Sequence, residues 1–456
     1  MKNLFLSNPT LSTEVQQAVT EMGFEEATPI QARAIPYILA GRDIIGQAMT
    51  GTGKTCAYGI PAVDMVDQSM SSIQVLILCP TRELAVQVAE ELQAVSRFKK
   101  NVRVLPIYGG QSIDHQIMAL KRKPQIIVGT PGRVMDHMRR HTLKLANLKM
   151  LILDEADEML NMGFREDIDV ILPDLPAERQ TLLFSATMSP EIKEITKLYL
   201  REPEYILTIH KELTIPSIEQ YYIEVRDSSK LELLCRLIDA KNIRLGLVFC
   251  NTKKRVDELT LALQGRGYSA EALHGDMKQS ERTRVMTKFK QEKIDILVAT
   301  DVAARGIDVN NIEAVFNYDI PSDEEYYVHR IGRTARAGRK GISYSFVFGR
   351  DMYRLREIQK YTKTTILPMQ PPKIADIEEV KLDAAVKRVV TMLEAGGYAK
   401  YDRVIEKVLI EAPEATTLDV ASVLFKMAFG ELDRSYEKTD FDDPKGKGFS
   451  TPKGKN

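Results

Sequence analysis

The sequence predicts an α/β fold in which parallel sheets are covered by helices, built as two copies of one architecture with a helical region after them. Three observations carry this expectation. Short apolar runs recur from residue 40 to about 350: QVLILCP, QIIVGTP, KMLILDE and QTLLFSA, then LGLVFCN, DILVATD and EAVFNYD. Continuous apolar runs of this length suit strands buried on both faces. Between them, RELAVQVAEELQAV and KRVDELTLAL set apolar residues at helical spacing, so strand and helix alternate as in βαβ units. Third, the pattern repeats. VLILCPTR resembles GLVFCNTK with Cys79 and Cys250 171 positions apart, IYGGQS resembles LHGDMKQS with Gly109 and Gly275 166 apart, and IIVGT resembles ILVAT with Thr130 and Thr300 170 apart.

The 456 residues allow roughly three domains at about 150 residues each. The elements predict a first α/β domain over 1–207, a polar linker over 208–215 able to act as a hinge, and a second α/β domain over 216–366. LPMQPPK then breaks the pattern. Residues 367–435 read as three helices, with breaks at Gly396-Gly397 and Pro413, whose apolar stripes, such as Val404, Ile405, Val408 and Leu409, predict packing. Residues 436–456, rich in Lys, Gly and Pro, read as a disordered tail.

Lys plus Arg and Asp plus Glu both total 63, so the formal net charge is +0 and any nucleic-acid site must be local. Apolar residues at 44% and a mean hydropathy of −0.21 argue against a membrane-embedded body. No run of 18 apolar residues and no signal-peptide pattern is present, so a cytoplasmic protein with no membrane partner is expected. The four cysteines lack CxxC spacing, which argues against zinc or a disulfide framework and fits a reducing compartment.

Between the short strand DIIGQA and the next apolar stretch lies Ala48-Met49-Thr50-Gly51-Thr52-Gly53-Lys54-Thr55. Glycines there let backbone amides converge on anionic oxygens, and a helix start adds its dipole. The segment departs from GxxxxGK[ST] only at Ala48. Lys54 is placed to contact β and γ phosphates and Thr55 to help hold Mg²⁺. The strand Met150–Leu153 delivers Asp154, Glu155 and Asp157 at its carboxyl end, where open parallel sheets bind ligands. Mg²⁺ keeps several waters and needs few carboxylates, so Asp154 suits the hydrated ion and Glu155 suits the base that polarises a water. In the second copy Arg330, Arg333 and Arg336 are spaced three apart, sharing one face if the segment is helical. Like charges repel there, and with no acid in their own segment they are expected to aim at phosphate.

These residues resemble the DEAD-box ATP-dependent RNA helicases of superfamily two, most closely the bacterial type, over residues 5–366. Gly23-Phe24 with Thr28-Pro-Ile-Gln31, AMTGTGKT, Pro80-Thr-Arg-Glu83, Gly109-Gly110, Thr130-Pro-Gly-Arg133, Asp154-Glu-Ala-Asp157 and Ser185-Ala-Thr187 fall in order. Val248-Phe-Cys-Asn-Thr252, Gln279 to Arg282, Ala299-Thr-Asp301 through Arg305-Gly-Ile-Asp308, and His329 to Arg336 continue in the second copy. The resemblance implies two tandem RecA-like domains that use ATP and Mg²⁺ to unwind RNA duplexes locally or remodel RNA–protein complexes. It places Phe24, Thr28 and Gln31 at adenine, residues 48–55 on the phosphates and Asp308 at the ribose. Arg333 and Arg336 then lie on the γ-phosphate, as finger-type catalytic groups beside Lys54, Asp154 and Glu155.

By the same likeness Thr81, Arg82, Gly110, Thr130, Arg133, Thr252, Gln279, Arg282 and Thr300 line an RNA track, while Asp157, Ser185, Thr187, His329 and Arg330 couple the two ligands. Recognition through phosphates and 2′-OH groups needs no strongly basic chain and gives little sequence preference. Two departures stand out. Ala335 occupies a position where many relatives have Gly, and Phe5 stands one residue farther from Gly23 than the usual upstream aromatic, with Leu6 at the expected spacing. Similar bacterial helicases use an appended segment for self-association, so the resemblance implies a homodimer through the C-terminal helices. It points to ribosomal precursors or RNA-decay proteins as partners. The same motifs serve a nucleotide-gated RNA clamp or assembly scaffold that unwinds little. A DNA-directed motor is disfavoured by the Gln31 segment and the DEAD sequence.

Overall fold

Apolar strands with no polar face must be covered on both sides, and the chain does this twice. The computed structural model describes residues 11–48, 52–208, 218–304, 309, 311–335, 340–428, 436–439 and 441–442, which divide into two compact units. In the first, the strands are β1 (Ile44–Gln47), β2 (Val75–Leu78), β3 (Val104–Ile107), β4 (Ile126–Gly129), β5 (Met150–Leu153), β6 (Gln180–Ser185) and β7 (Glu204–Leu207). They form one parallel sheet in the order β3-β4-β2-β5-β6-β1-β7. Successive side chains of a strand point to opposite faces. Thus Ile77, Ile152 and Leu182 enter one core beneath helices Pro29–Leu39 and Lys54–Asp64, while Leu76, Leu78, Leu151 and Leu183 enter another.

The second unit contains β8 (Ile218–Glu224), β9 (Gly246–Phe249), β10 (Ala270–Leu273), β11 (Ile296–Ala299), β12 (Ala314–Asn317), β13 (Gly341–Val347) and β14 (Leu367–Pro368). Its order is β10-β11-β9-β12-β13-β8-β14, again parallel, so β8 to β14 take the places of β1 to β7. The three sequence likenesses fall on the equivalent pairs β2/β9, β3/β10 and β4/β11. Both units therefore have the RecA-like plan. Leu367–Pro368, read from the sequence as a break, extends this sheet by an edge strand paired with Tyr221 and Tyr222. Proline suits such a position because an edge strand need not donate on its outer side.

All four cysteines are buried free thiols; burial pushes Cys56 up to about 12 and Cys235 up to about 11, which suppresses thiolate chemistry. Among the described residues no helix is long and apolar enough to cross a membrane. Beyond the second sheet, helix Ile374–Ala395 packs on helix Lys230–Ala240, and helices Asp402–Glu411 and Thr417–Ala428 pack on each other. The apolar stripes expected to be packed are largely open within this chain: Val386, Val390, Val404, Val408, Val423 and Leu424 are exposed.

The stretch from 436, read as a disordered tail, returns to the second unit where it is described. Arg236, fully buried on helix Lys230–Ala240, donates from Nη1 and Nη2 to the two Asp442 carboxylate oxygens, each at 2.7 Å. Its remaining N–H groups reach Glu232 Oε1 at 2.9 Å, the Glu437 carbonyl at 2.7 Å and the Pro372 carbonyl at 3.3 Å. The Phe441 ring lies 4.9 Å from the guanidinium. A buried guanidinium is tolerated when its donors are matched, and here the matching residues are more than 130 positions away in sequence, apart from Glu232. The Arg236 hydrogen bonds hold the Asp442 carboxyl down at about 2. Asp442→Ala, which leaves Arg236 its Glu232 and carbonyl acceptors, should destabilise the second unit by about 1–3 kcal/mol in urea unfolding. Because the folded-state value is depressed, the difference from wild type should be full above pH ~4, the ordinary carboxylate range, and shrink as pH falls toward 2.

Ala335 adopts φ +57°. That left-handed backbone costs an L-residue about 1–2 kcal/mol and costs glycine nothing. Ala335→Gly should raise the unfolding free energy by about 0.5–1 kcal/mol, part of the strain relief being offset by unfolded-state entropy.

Candidate active site

Parallel strands end on the same side, so their carboxyl ends bring distant loops together. In the first unit these are the loops after β1, β5 and β6. Ala48 N–H donates to the Ser185 carbonyl at 3.1 Å, and Asp154 N–H to the Leu78 carbonyl at 2.9 Å. Lys54 and Thr55 open helix Lys54–Asp64 behind Gly53, whose φ is +87°. Lys54 is buried, Thr55 and Thr52 are half-buried, and Met49, Thr50 and Gly51 lie outside the described residues.

Gln31 sits against this loop. Its Oε1 accepts from Thr28 N–H at 2.9 Å and its Nε2 donates to the Gly53 carbonyl at 3.1 Å. Glycine suits residue 53 by its left-handed backbone, and a Cβ there would fall 2.5 Å from Gln31 Nε2 and displace that amide from the Gly53 carbonyl. The adenine-reading candidate is thus wired to the phosphate loop, a link with no local signature. Phe24 is half-buried against the same core.

Asp154, Glu155 and Asp157 are 3%, 5% and 4% exposed. Charges so buried need partners. Asp157 Oδ2 accepts from Ala186 N–H at 2.9 Å and Thr187 N–H at 2.8 Å, and Oδ1 from Glu158 N–H at 3.1 Å. The Ser185 hydroxyl donates to the Thr187 carbonyl at 2.7 Å, which folds the loop after β6 onto the acidic segment. Thr187 Oγ1 is buried without a hydrogen-bond partner. Asp154 Oδ1 accepts from Glu155 N–H at 3.0 Å and Oδ2 from the Tyr58 hydroxyl at 2.7 Å. Burial pushes the Asp154 carboxyl up, against the pull of Lys54, Tyr58 and the Glu155 amide. Glu155 caps helix Ala156–Asn161 at φ +49°, a strained conformation at the candidate base.

The donor set fits hydrated Mg²⁺. Among the described residues no group of three or more His, Cys, Asp or Glu side chains forms a metal cage. Asp154 retains acceptor capacity after its two hydrogen bonds. One carboxylate and a hydroxyl suit an ion that keeps most of its waters.

A second cluster of the first unit gathers Thr81, Arg82, Gly110, Thr130 and Arg133 beyond β2, β3 and β4. Thr81 Oγ1 caps its helix by accepting from Leu84 N–H at 3.2 Å. The Arg82 guanidinium lies over Gly109 and Gly110, where a Cβ on residue 110 would collide with it. Arg133 Nη1 donates to the Gln111 carbonyl at 3.1 Å and to Gln116 Oε1 at 2.9 Å. Gln116 also donates to the Tyr108 carbonyl at 3.0 Å and contacts His137 Nε2 at 3.0 Å. Burial first, then the Arg133 charge, holds His137 below the ordinary imidazole range. The sequence reading missed Gln116 and Tyr58, whose partners Arg133 and Asp154 lie 17 and 96 positions away, so no local signal marked them.

The second unit presents the equivalent positions. Thr252 Oγ1 accepts from Arg255 N–H at 3.3 Å, Thr300 follows β11, and Gln279 and Arg282 lie on helix Gln279–Lys290. The expected one-faced arginine helix is not formed. Helix Glu324–Ile331 ends with Gly332 at its C-cap, so Arg333 lies past it, and Arg336 and Asp308 lie outside the described residues. Arg330 is turned inward. It bonds both Asp301 carboxylate oxygens at 2.5 and 2.8 Å, the Asp319 carbonyl at 2.6 Å, Asn251 Oδ1 at 3.0 Å and Asn317 Oδ1 at 3.3 Å. All five donors are engaged with acceptors distant in sequence, which a search of its own segment for acids could not find. His329 is half-buried and Arg333 buried.

Known families match the chain in three segments. The DEAD/DEAH box helicase family matches residues 28–195, the helicase conserved C-terminal domain 229–338, and the RNA helicase DeaD dimerization domain 372–438. The chain is 50% identical over 423 residues to the DEAD-box ATP-dependent RNA helicase CshA of Geobacillus kaustophilus, covering 93% of this chain and 90% of that one. It is 49% identical over 425 residues to the ATP-dependent RNA helicase CshA of Listeria monocytogenes, covering 93% and 81%. Among solved structures it is similar to S. cerevisiae Dbp5 bound to RNA and ADP BeF3, with a TM-score of 0.73, 32% identity, and coverage of 82% and 97%. It is also similar to Mss116p bound to ssRNA and AMP-PNP, with a TM-score of 0.75, 26% identity, and coverage of 87% and 86%. The ordered motifs, the twin RecA-like sheets and these likenesses agree: the chain belongs to the DEAD-box ATP-dependent RNA helicases.

Proposed function

We propose that this enzyme hydrolyses ATP to ADP and phosphate on RNA-dependent closure of its two domains, and that closure melts a few base pairs or remodels an RNA–protein complex. The observation that carries this reading is the division of labour along the chain. Lys54 and the buried acids belong to the first unit, while Arg333 belongs to the second. Glu155 takes the proton of the attacking water, and Lys54 binds the β and γ phosphates. Arg333 and Arg336 stabilise charge on the γ-phosphate; finger-type groups of this kind contribute roughly 10³ to 10⁵ in rate, or about 4–7 kcal/mol of barrier. Asp154 and Thr55 would hold Mg²⁺, which when bound would supply charge neutralisation at the phosphates. Gln31 with Thr28 and Phe24 accepts adenine, and Asp308 the ribose.

Thr81, Arg82, Gly110, Thr130 and Arg133 hold one stretch of the RNA backbone; Thr252, Gln279, Arg282 and Thr300 hold the next. The repeated Thr81/Thr252 caps support this, since equivalent loops offer equivalent donors to successive phosphates. Asp157, Ser185 and Thr187 link the acidic segment to the loop after β6, and His329 with Arg330 performs the corresponding service in the second domain. The solved neighbours carry RNA with a nucleotide analogue, which supports the same pair of ligands here. The domains are read as 1–207, the linker 208–215, and 216–366 extended by the edge strand Leu367–Pro368, followed by the helical region up to 435. The exposed apolar faces of that last region and its family match support homodimerisation. The cytoplasm is the expected compartment, with ribosomal precursors or RNA-decay proteins as partners.

Glu155→Gln should bind ATP and RNA as wild type does while RNA-stimulated ATP hydrolysis falls roughly 10²–10⁴-fold; near-normal turnover would remove Glu155 as the base. In parallel, wild type should release a short RNA duplex with ATP. Release of no strand, with ATP or with a non-hydrolysable analogue, would instead assign a clamp.

A further inference from the structure

We propose that Tyr58 is the positioning residue for Asp154, fixing the plane in which that carboxylate meets the metal side of the nucleotide. The inference rests on the reading of Asp154 as the carboxylate that holds hydrated Mg²⁺. A carboxylate torsion is broad and roughly two-fold, so a single hydrogen bond leaves the group free to turn. Asp154 has two, on different oxygens: Glu155 N–H on Oδ1 and the Tyr58 hydroxyl on Oδ2 at 2.7 Å. The first comes from the adjoining residue and moves with it. The second comes from 96 positions away and ties Asp154 to another element.

That element is helix Lys54–Asp64, which begins with Lys54 and Thr55. Tyr58 lies one turn after Lys54, on the same side of the helix. Its ring is fully buried and leans on Phe184, with centroids 5.2 Å apart and planes inclined by 52°. Phe184 in turn occupies the space over its register partner Gly46, where a Cβ would stand 2.5 Å from the ring. A missing side chain on β1 therefore seats a ring on β6, the ring seats Tyr58, and the hydroxyl reaches Asp154 on β5's carboxyl end. The phosphate-binding helix and the metal-side acid are thereby held as one piece. Phenylalanine would fill the same core without bringing a polar atom into it, and a buried hydroxyl is retained at no cost only because the acid accepts it.

The test uses the full chain with Tyr58→Phe, which removes one oxygen. Mn²⁺ is titrated into the protein·ADP complex and free Mn²⁺ is read by EPR, while ADP affinity is measured separately in EDTA. Mn²⁺ affinity should fall about tenfold, as for loss of an outer partner of a metal ligand, with ADP affinity in EDTA unchanged. Half-saturating Mg²⁺ for RNA-stimulated ATPase should rise by a similar factor, with kcat at saturating Mg²⁺ largely kept. Unaltered Mn²⁺ affinity overturns the proposal, and so does an equal loss of ADP affinity in EDTA, which would place the effect on the loop instead of on Asp154. Asp154→Asn in the same titration separates the two layers: if it leaves Mn²⁺ binding intact, the reading of Asp154 fails and the proposal with it. Should Tyr58→Phe not fold, Phe184→Leu keeps the hydroxyl but frees the ring and should weaken Mn²⁺ measurably; unchanged affinity there overturns the proposal equally.

Discussion

Three carboxylates buried within four residues, at the end of one dry strand, set the terms for the first unit. Side chains this close to one another and this far from water repel and lose their hydration, so the surrounding structure must supply donors or a cation. The loop after β6 gives Asp157 two backbone N–H groups and Glu158 gives it a third. Asp154 is served less completely, by one amide and one phenol, and its carboxyl is held above the ordinary range by burial. A protein that only needed stability would place apolar groups there. On the proposed reading the acids serve as a receptor for positive charge that arrives with the nucleotide.

The second unit meets the same constraint with the opposite sign. Arg330 and Arg236 are buried guanidiniums whose five donors are all matched, the one by the loops beyond β9, β11 and β12, the other by Glu232 and a returning C-terminal segment. Such charges fasten structure and are closed to ligands. Arg333 is also buried, past the end of its helix, with Nε donating to the His329 carbonyl at 3.3 Å. Which acceptors engage an arginine is invisible in the spacing of the three residues, because those of Arg330 come from elsewhere in the fold.

Legibility in the sequence divides along that line. Strands buried on both faces appear as unbroken apolar runs, and a duplicated unit appears as ordered likenesses at nearly constant offset. The parallel sheets, their duplication and the carboxyl-end loops were therefore readable, while the strand order came from the structure. Lys54, Asp154 and Glu155 stood out as candidates because a glycine-rich turn and an acid run after a strand are local patterns. What was not readable depends on distant partners. Tyr58 meets Asp154 across 96 positions, Gln31 meets Gly53 across 22, and Arg236 meets Asp442 across 206. Gly332 ended the arginine helix early, and Leu367–Pro368 gained strand geometry only by pairing with β8.

On the proposed assignment, acid and base chemistry fall to one unit and the γ-phosphate arginines to the other, so ATP cleavage would require both. The most direct measurement compares single-turnover ATP hydrolysis by the amino-terminal fragment 1–207 with that of the whole chain, with and without single-stranded RNA. The expected result is slow, RNA-indifferent hydrolysis by the fragment and RNA-accelerated hydrolysis by the whole chain. A folded fragment that cleaves ATP as fast as the RNA-bound whole chain would contradict this division.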